Sequence, residues 1–356
     1  MTTNNIDQAK AEAFAQKMMD AMTGGSLSLM LSVGHRTGLL DKMADLPPST
    51  SEEIAHAAGL NERYVREWLG GVTTGGVVEY DAATKRYRLP PEHAAFVTRA
   101  AGPDNFAFLM QYIAVLGDVE GKIVECFEKG GGVPYSDFPR FVEVQREETA
   151  RVYDLALVDG ILPVVPGITQ QLEAGIDVAD IGCGGGRAIN VMAKAFPKSR
   201  FTGFDLLDES IGFATTEAKE WGLTNARFEA RNVTDLGETE AFDFITAFDA
   251  IHDQAQPRKV LANIATALRP SGVFLLADIA ASSDVAKNID NPWAPLFYTW
   301  STFHCMTVSL AYGGEGLGTC WGEELAKELL AEAGFSSVQT TQVEGDPINI
   351  YYICRK

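Results

Sequence analysis

VADIGCGGGRAI, residues 178 to 189, is the stretch whose reading decides the fold. An apolar run reaches Asp180 and Ile181, and glycines then alternate at Gly182, Gly184 and Gly186. Glycine has no Cβ, so such a loop turns sharply and lets backbone approach a ligand. At the carboxyl end of a strand it lies where open α/β sheets bind their ligands. The dinucleotide fingerprint G-x-G-x-x-G, started at Gly182, would want glycine or alanine where Arg187 stands. The pattern is instead acid-x-Gly-x-Gly-x-Gly, with Asp180 two residues ahead of the first glycine. A carboxylate there suits a cationic ligand and would repel a pyrophosphate. Asp205 closes the segment FTGFD about 20 residues further on, where an acid hydrogen-bonds ribose hydroxyls.

Strand and helix signals alternate outward from this loop. Candidate strands are Asp177–Ile181, Arg200–Phe204, Ala226–Ala230, Phe242–Ala247 and Val273–Asp278, with amphipathic helices Ala188–Ala195, Glu209–Trp221 and Pro257–Leu268 between them. Such alternation implies parallel strands joined by right-handed crossovers, a Rossmann-like doubly wound sheet. About forty residues with little periodicity follow Asp278, too long for an idle loop. Helix Gly322–Ala333 and strands Ser337–Thr341 and Asn349–Cys354 end the chain.

The N-terminal third reads differently. Ile6–Met22 and the strongly apolar Leu27–Leu46 are two helices, expected to part at Gly24-Gly25. Thr50 and Glu53 form a capping box for Ser51–Ala58. Asn61 caps Glu62–Leu69, expected to stop at Gly70-Gly71, and two short strands flank the turn 81–84. Helix, turn, helix, hairpin is the order of a winged helix. The expected division is a winged-helix domain over 1–95, a helical bridge and pocket wall over 96–170, and an α/β domain over 171–356.

Composition bounds the function. With 46% hydrophobic and 22% charged residues, the 356-residue chain can bury a sizeable core, and no apolar run approaches a bilayer span. The five cysteines are scattered with no CxxC pair, so neither a disulfide framework nor a metal site is expected, and a cytoplasmic setting fits. A net charge of −19 repels nucleic acid and anionic membranes at long range.

Asp180–Gly186, Asp205, the segment LRPSG at 268–272 and the closing Gly-Phe, strand, strand pattern together resemble class I methyltransferases that use S-adenosylmethionine (SAM). SAM fits the loop chemistry, since it carries an ammonium and a sulfonium and no pyrophosphate. The winged-helix pattern and Ala250-Ile251-His252-Asp253 narrow the resemblance to dimeric small-molecule O-methyltransferases, including a bacterial branch sometimes labelled transcriptional regulator. The resemblance implies that Asp180, Gly182, Gly184, Gly186, Asp205 and Leu206 hold the cofactor. It also implies that Asn232 and Val233 meet the adenine ring, that Phe248 lies beside the adenosine, and that the chain pairs as a homodimer through its N-terminal domain. In that family a His-Asp pair after the fourth strand supplies the general base, which would make His252 the catalytic residue, although Gln254 replaces the usual aromatic. The acceptor would be a small, largely apolar molecule, methylated at a hydroxyl. The aromatic segment Trp293–Trp321, with Tyr135 and Phe138 opposite, is the expected lining of its pocket.

Three alternatives stand beside this reading. An N- or C-methyltransferase would share the same cofactor half. A regulator responding to SAM or a metabolite would bind DNA through Arg63, Arg66 and a wing with Lys85, Arg86 and Arg88, but residues 1–95 carry nine basic side chains against twelve acids. A nicotinamide oxidoreductase would need the missing third fingerprint glycine.

Overall fold

Asp7 accepts a hydrogen bond from the Lys10 amide and opens a 30-residue helix, Gln8–Thr37. The computed structural model describes residues 6–356. It divides them into two compact units, one ending at Gly117 and one running from Asp118 to Lys356. The expected break at Gly24-Gly25 does not occur: each glycine costs only about 1 kcal/mol in a helix, and the residues flanking them keep it going. The helix ends instead at Gly38 in the left-handed conformation, and Leu39–Ala44 follows.

The first unit contains the winged-helix pattern. Thr50 and Glu53 form the capping box of Ser51–Ala58, which stops at the left-handed Gly59. The next helix, Glu62–Thr74, runs through Gly70-Gly71. A Cβ on Gly71 would come within 2.7 Å of the Met30 side chain, so this glycine permits the close approach of two helices rather than ending one. Strands β1 (Glu79–Asp81) and β2 (Arg86–Arg88) form the hairpin, pairing Tyr80 with Tyr87. Leu31, Leu40, Ile54, Trp68, Leu69 and Val72 make the core. Residues 96–170, read as a bridge, fall in both units.

The second unit is built on a seven-stranded sheet. Its strands are β3 (Asp177–Ile181), β4 (Arg200–Asp205), β5 (Ala226–Ala230), β6 (Phe242–Phe248), β7 (Leu268–Ile279), β8 (Ser337–Thr341) and β9 (Asn349–Arg355). Their order is β5-β4-β3-β6-β7-β9-β8, parallel through β7, with β9 antiparallel to both β7 and β8. The chain leaves β3 toward β4 on one side and returns as β6 on the other. The carboxyl ends of β3 and β6 therefore meet at the topological switch point, where a ligand crevice opens. Apolar residues on both faces (Ile181, Ile245, Leu276 and Val178, Phe244, Leu275) pack against two helical layers.

Two segments differ from expectation. Strand β7 starts at Leu268, with a bulge that lets Phe242 pair with Leu268 and Phe244 with Val273. The stretch after Asp278 is helical: Val285–Asn288, Ala294–Trp300 and Met306–Ala311, the last two joined by a π-helical turn, Ser301–Cys305. Among the described residues no single helix is long and apolar enough to cross a membrane; one bent pair, Phe141–Val164 with Ile168–Ala174, passes by length and composition.

Candidate active site

A cavity of about 310 Å³ opens at the carboxyl ends of β3, β4 and β6, lined entirely by the second unit. Its floor is the glycine loop. Gly182 stands at φ +72°, and a Cβ there would come within 2.5 Å of the Ala250 Cβ. Gly184, at φ +51°, also lines the cavity. Gly186 does not. It stands at φ +75°, where a Cβ would press to 2.4 Å from Ala214 and 2.7 Å from Phe228, so its bareness seats the following helix, Arg187–Ala195, on the sheet.

Asp205 lines the cavity beside this loop. Its Oδ2 accepts from the Gly184 amide at 2.8 Å and its Oδ1 from the Leu207 amide at 3.0 Å, which ties strand end to loop. Burial raises its carboxyl pKa, and those backbone bonds oppose the rise. Asp180 is buried behind the wall, where its Oδ1 accepts from the Thr246 hydroxyl at 2.7 Å. Burial pushes it up to about 7 against that hydrogen bond.

Leu206, Asn232, Val233 and Phe248 complete one side of the cavity. Asn232 Oδ1 accepts from the Thr234 amide at 3.0 Å and the Thr234 hydroxyl at 2.8 Å, capping its own short turn. The Asn232 carbonyl is thus already engaged, and the amide NH2 is the end left over for a ligand. Phe248 packs against Tyr153, ring centroids 5.4 Å apart.

His252 stands where its sequence position could not reveal. It is buried and does not line the cavity, and its Nδ1 lies 2.7 Å from Asp278 Oδ1 at the end of β7. Burial alone would lower its pKa; the Asp278 carboxylate outweighs this and raises it well above the ordinary histidine value. Asp253 does line the cavity. Its Oδ2 accepts from the Tyr135 hydroxyl at 2.5 Å, and burial pushes it up to about 6 while His252 and Tyr135 pull it down. Asp249, also in the wall, is raised to about 7 by burial and then by Asp278, and its Oδ2 accepts from Asn349 at 2.9 Å.

Of the aromatic segment expected to line a pocket, Tyr312 does so; Phe297 and Trp321 are core. Tyr135 lines it from the other side, while Phe138 is buried next to it. His304, in the π-helical turn, stacks on Phe141 with centroids 3.6 Å apart. Burial and then the charge of His252 press its pKa down to about 3. Sequence reading missed Phe141, Val142 and Gln145, which reach the cavity from helix Phe141–Ala156 and carry no motif. It also missed Asp249 and Asp278, although an acid closing a strand next to the switch point is a signal that could have found Asp278.

Glycine cradle, strand-end carboxylates and apolar side wall fit a cationic nucleoside. Residues 172–334 match the family described as methyltransferase domain, and residues 25–99 match the Rv2258c-like winged HTH domain. The chain therefore combines a winged helix-turn-helix domain with a methyltransferase domain of the class I, Rossmann-like fold. A relative in Mycobacterium tuberculosis, phthiotriol/phenolphthiotriol dimycocerosates methyltransferase, is 28% identical over 118 residues, 33% of this chain and 43% of that protein. The chain thus matches less than half the length of that relative. Among solved structures, PigF with SAH superposes with a TM-score of 0.72 at 18% identity, covering 96% of this chain and 99% of that one. Human N-acetylserotonin methyltransferase in complex with SAM gives 0.70 at 16% identity, covering 100% and 99%.

Proposed function

We propose that the protein transfers a methyl group from SAM to a hydroxyl of a small, largely apolar molecule. The observation that carries this reading is the glycine cradle closed by Asp205, whose carboxylate joins the loop to the next strand at the cavity floor. In this proposal Gly182, Gly184, Asp205 and Leu206 hold the ribose and the amino-acid part. Asn232 offers its amide to the purine edge, Val233 and Phe248 flank the ring, and Asp180 and Gly186 support the loop from behind. Bound SAM supplies a methyl carbon already activated by its sulfonium, so holding the acceptor in line provides much of the acceleration. The His252-Asp253 pair takes the acceptor's proton; His252 is the choice suggested by resemblance, and Asp278 fixes its ring.

Calorimetry with SAH tests the reading: binding that Asp205→Ala abolishes supports it, and no heat with either SAH or SAM refutes it.

The winged helix serves as a pairing module. On the long first helix Phe14, Met18, Met19, Met22, Leu29 and Val33 are exposed, an apolar face that a second copy would cover. A DNA-binding role has weaker support, because Arg63 pairs with Glu67, Arg66 with Glu62, and Arg86 with Glu53. Sedimentation of wild type against Met18→Glu/Met22→Glu checks the pairing: a wild-type monomer would remove it.

A further inference from the structure

Given the methyl-transfer reading above, the chemical class of the acceptor follows from one wall of the cavity, built by Tyr135, Phe141, Asp253, Gln254 and Tyr312. Its rings give it an apolar character, with the centroids of Tyr135 and Tyr312 6.3 Å apart. Apart from the half-exposed Tyr312 hydroxyl, its polar side chains have their donors engaged. The Tyr135 hydroxyl donates to Asp253 Oδ2 at 2.5 Å. Gln254 Nε2 donates to the Ala250 carbonyl at 2.8 Å and makes a longer 3.4 Å contact with Asp253 Oδ1. Arg231, elsewhere in the cavity wall, is spent on the Leu236 carbonyl, Glu238 and Glu229.

Gln254 is thereby left with one free end. A carbonyl oxygen only accepts, so the bond to Ala250 fixes which end of the amide is the NH2. Among the described residues nothing donates to Oε1, and it stays accessible in the cavity wall. The backbone of Gln254 is held as well. Its amide donates to the Ile251 carbonyl at 3.2 Å, and its carbonyl accepts from Ser309 Oγ at 2.9 Å. Ser309 is fully buried, and its Oγ also accepts from the Gly316 amide at 3.1 Å. An accepting oxygen fixed in this way meets a ligand with little ordering left to do.

We propose that Gln254 Oε1 selects the acceptor by receiving a hydrogen bond from a second donor, an O–H or N–H carried in addition to the hydroxyl that is methylated. The acceptor is then an aromatic molecule with two donors, a dihydroxy or amino-hydroxy ring. Its faces suit the tyrosine and phenylalanine rings, and its second donor suits the one amide oxygen that the fold leaves unpaired. A methyl group in that place would take Oε1 out of water and give it no partner, which a site with a fixed polar group resists. A carbonyl there would set lone pair against lone pair. A carboxylate would meet the neighbouring Asp253 as well, a repulsion between like charges. Gln254 stands where the family resemblance implies an aromatic side chain, so this preference belongs to the chain in hand.

The test uses the full chain saturated with SAH; a wild type that binds no SAH refutes the methyl-transfer reading itself. Four probes are titrated by ligand-observed NMR: catechol and resorcinol, each against the methylphenol of the same shape, 2-methylphenol and 3-methylphenol. In wild type at least one dihydroxy probe is expected to bind about tenfold more tightly than its methyl partner. Gln254→Met keeps the length of the side chain and removes the amide oxygen, and it should bring that ratio close to one. Gln254→Leu is the second variant, so that a folding defect in one leaves the comparison intact. Wild-type SAH complex that shows no preference for either dihydroxy probe overturns the proposal and leaves the methyl-transfer reading standing. A preference that both variants retain also overturns it. So does a loss of SAH affinity of about tenfold or more in folded Gln254→Met, which would assign the amide to the cofactor.

Discussion

Replacing Gly186 by alanine separates two uses of glycine in one loop. At φ +75° an L-residue costs about 1–2 kcal/mol. The new methyl, 2.4 Å from Ala214 and 2.7 Å from Phe228, adds crowding of about 1–3 kcal/mol, because neither neighbour is a flexible side-chain end. Loss of unfolded-state freedom returns about 0.4–1 kcal/mol. Gly186→Ala should therefore destabilise the protein by about 1–4.6 kcal/mol, yet leave SAH affinity of the folded protein nearly unchanged, since Gly186 is outside the cavity wall. Gly184→Ala is the control: at φ +51° with its nearest neighbour 3.6 Å away, it should cost only about 1 kcal/mol by the same strain and entropy effects. It adds a methyl in the cavity wall, so it should weaken SAH. Urea unfolding measures the first quantity and calorimetry the second. A Gly186→Ala protein as stable as wild type, or one that folds well and fails to bind SAH, would refute the assignment of this glycine to packing.

Other consequences follow from the buried charges. Asp278→Ala leaves a buried His252 without its partner and should cost about 3–5 kcal/mol in denaturant unfolding. Because the folded His252 keeps its proton to higher pH than the unfolded side chain, the stability it contributes is complete below about pH 6.5 and fades as pH rises toward the folded value. That alkaline loss should vanish in Asp278→Asn; its persistence would separate the pH dependence from this pair. Asp180 and Asp249 titrate about 7 and Asp253 about 6, and an incoming cation favours their charged forms. SAM binding at pH 6.5 should therefore release protons, seen as a binding enthalpy that varies with the buffer's ionisation heat; net proton uptake would contradict a cationic ligand in this cavity. Thr246→Val removes the hydroxyl that stabilises the Asp180 carboxylate, so Asp180 should hold its proton to higher pH in a carboxyl NMR titration.

The local signals in this chain survived folding because they depend on few neighbours. Alternating glycines after an apolar run, the Thr50-Glu53 box and the spacing of strands β3, β4 and β5 are set by backbone sterics and by a two-sided apolar pattern. Where glycine was read as a stop, at Gly24-Gly25 and Gly70-Gly71, tertiary contact or simple helix continuation prevailed, because a glycine's cost is small beside the packing of a whole helix. The glycine-loop side of the cavity lies on residues that a linear motif brings close together. Its other wall is assembled from Tyr135, Phe141, Gln145 and Tyr312, far apart in the chain. Adjacent residues 252 and 253 share a motif, but the turn after β6 sends one side chain under β7 to Asp278 and the other into the cavity beside Tyr135. Only the three-dimensional neighbours decide which carboxylate is hydrogen-bonded, which imidazole is charged and which group meets solvent, because burial and pairing energies arise from contacts across the sheet.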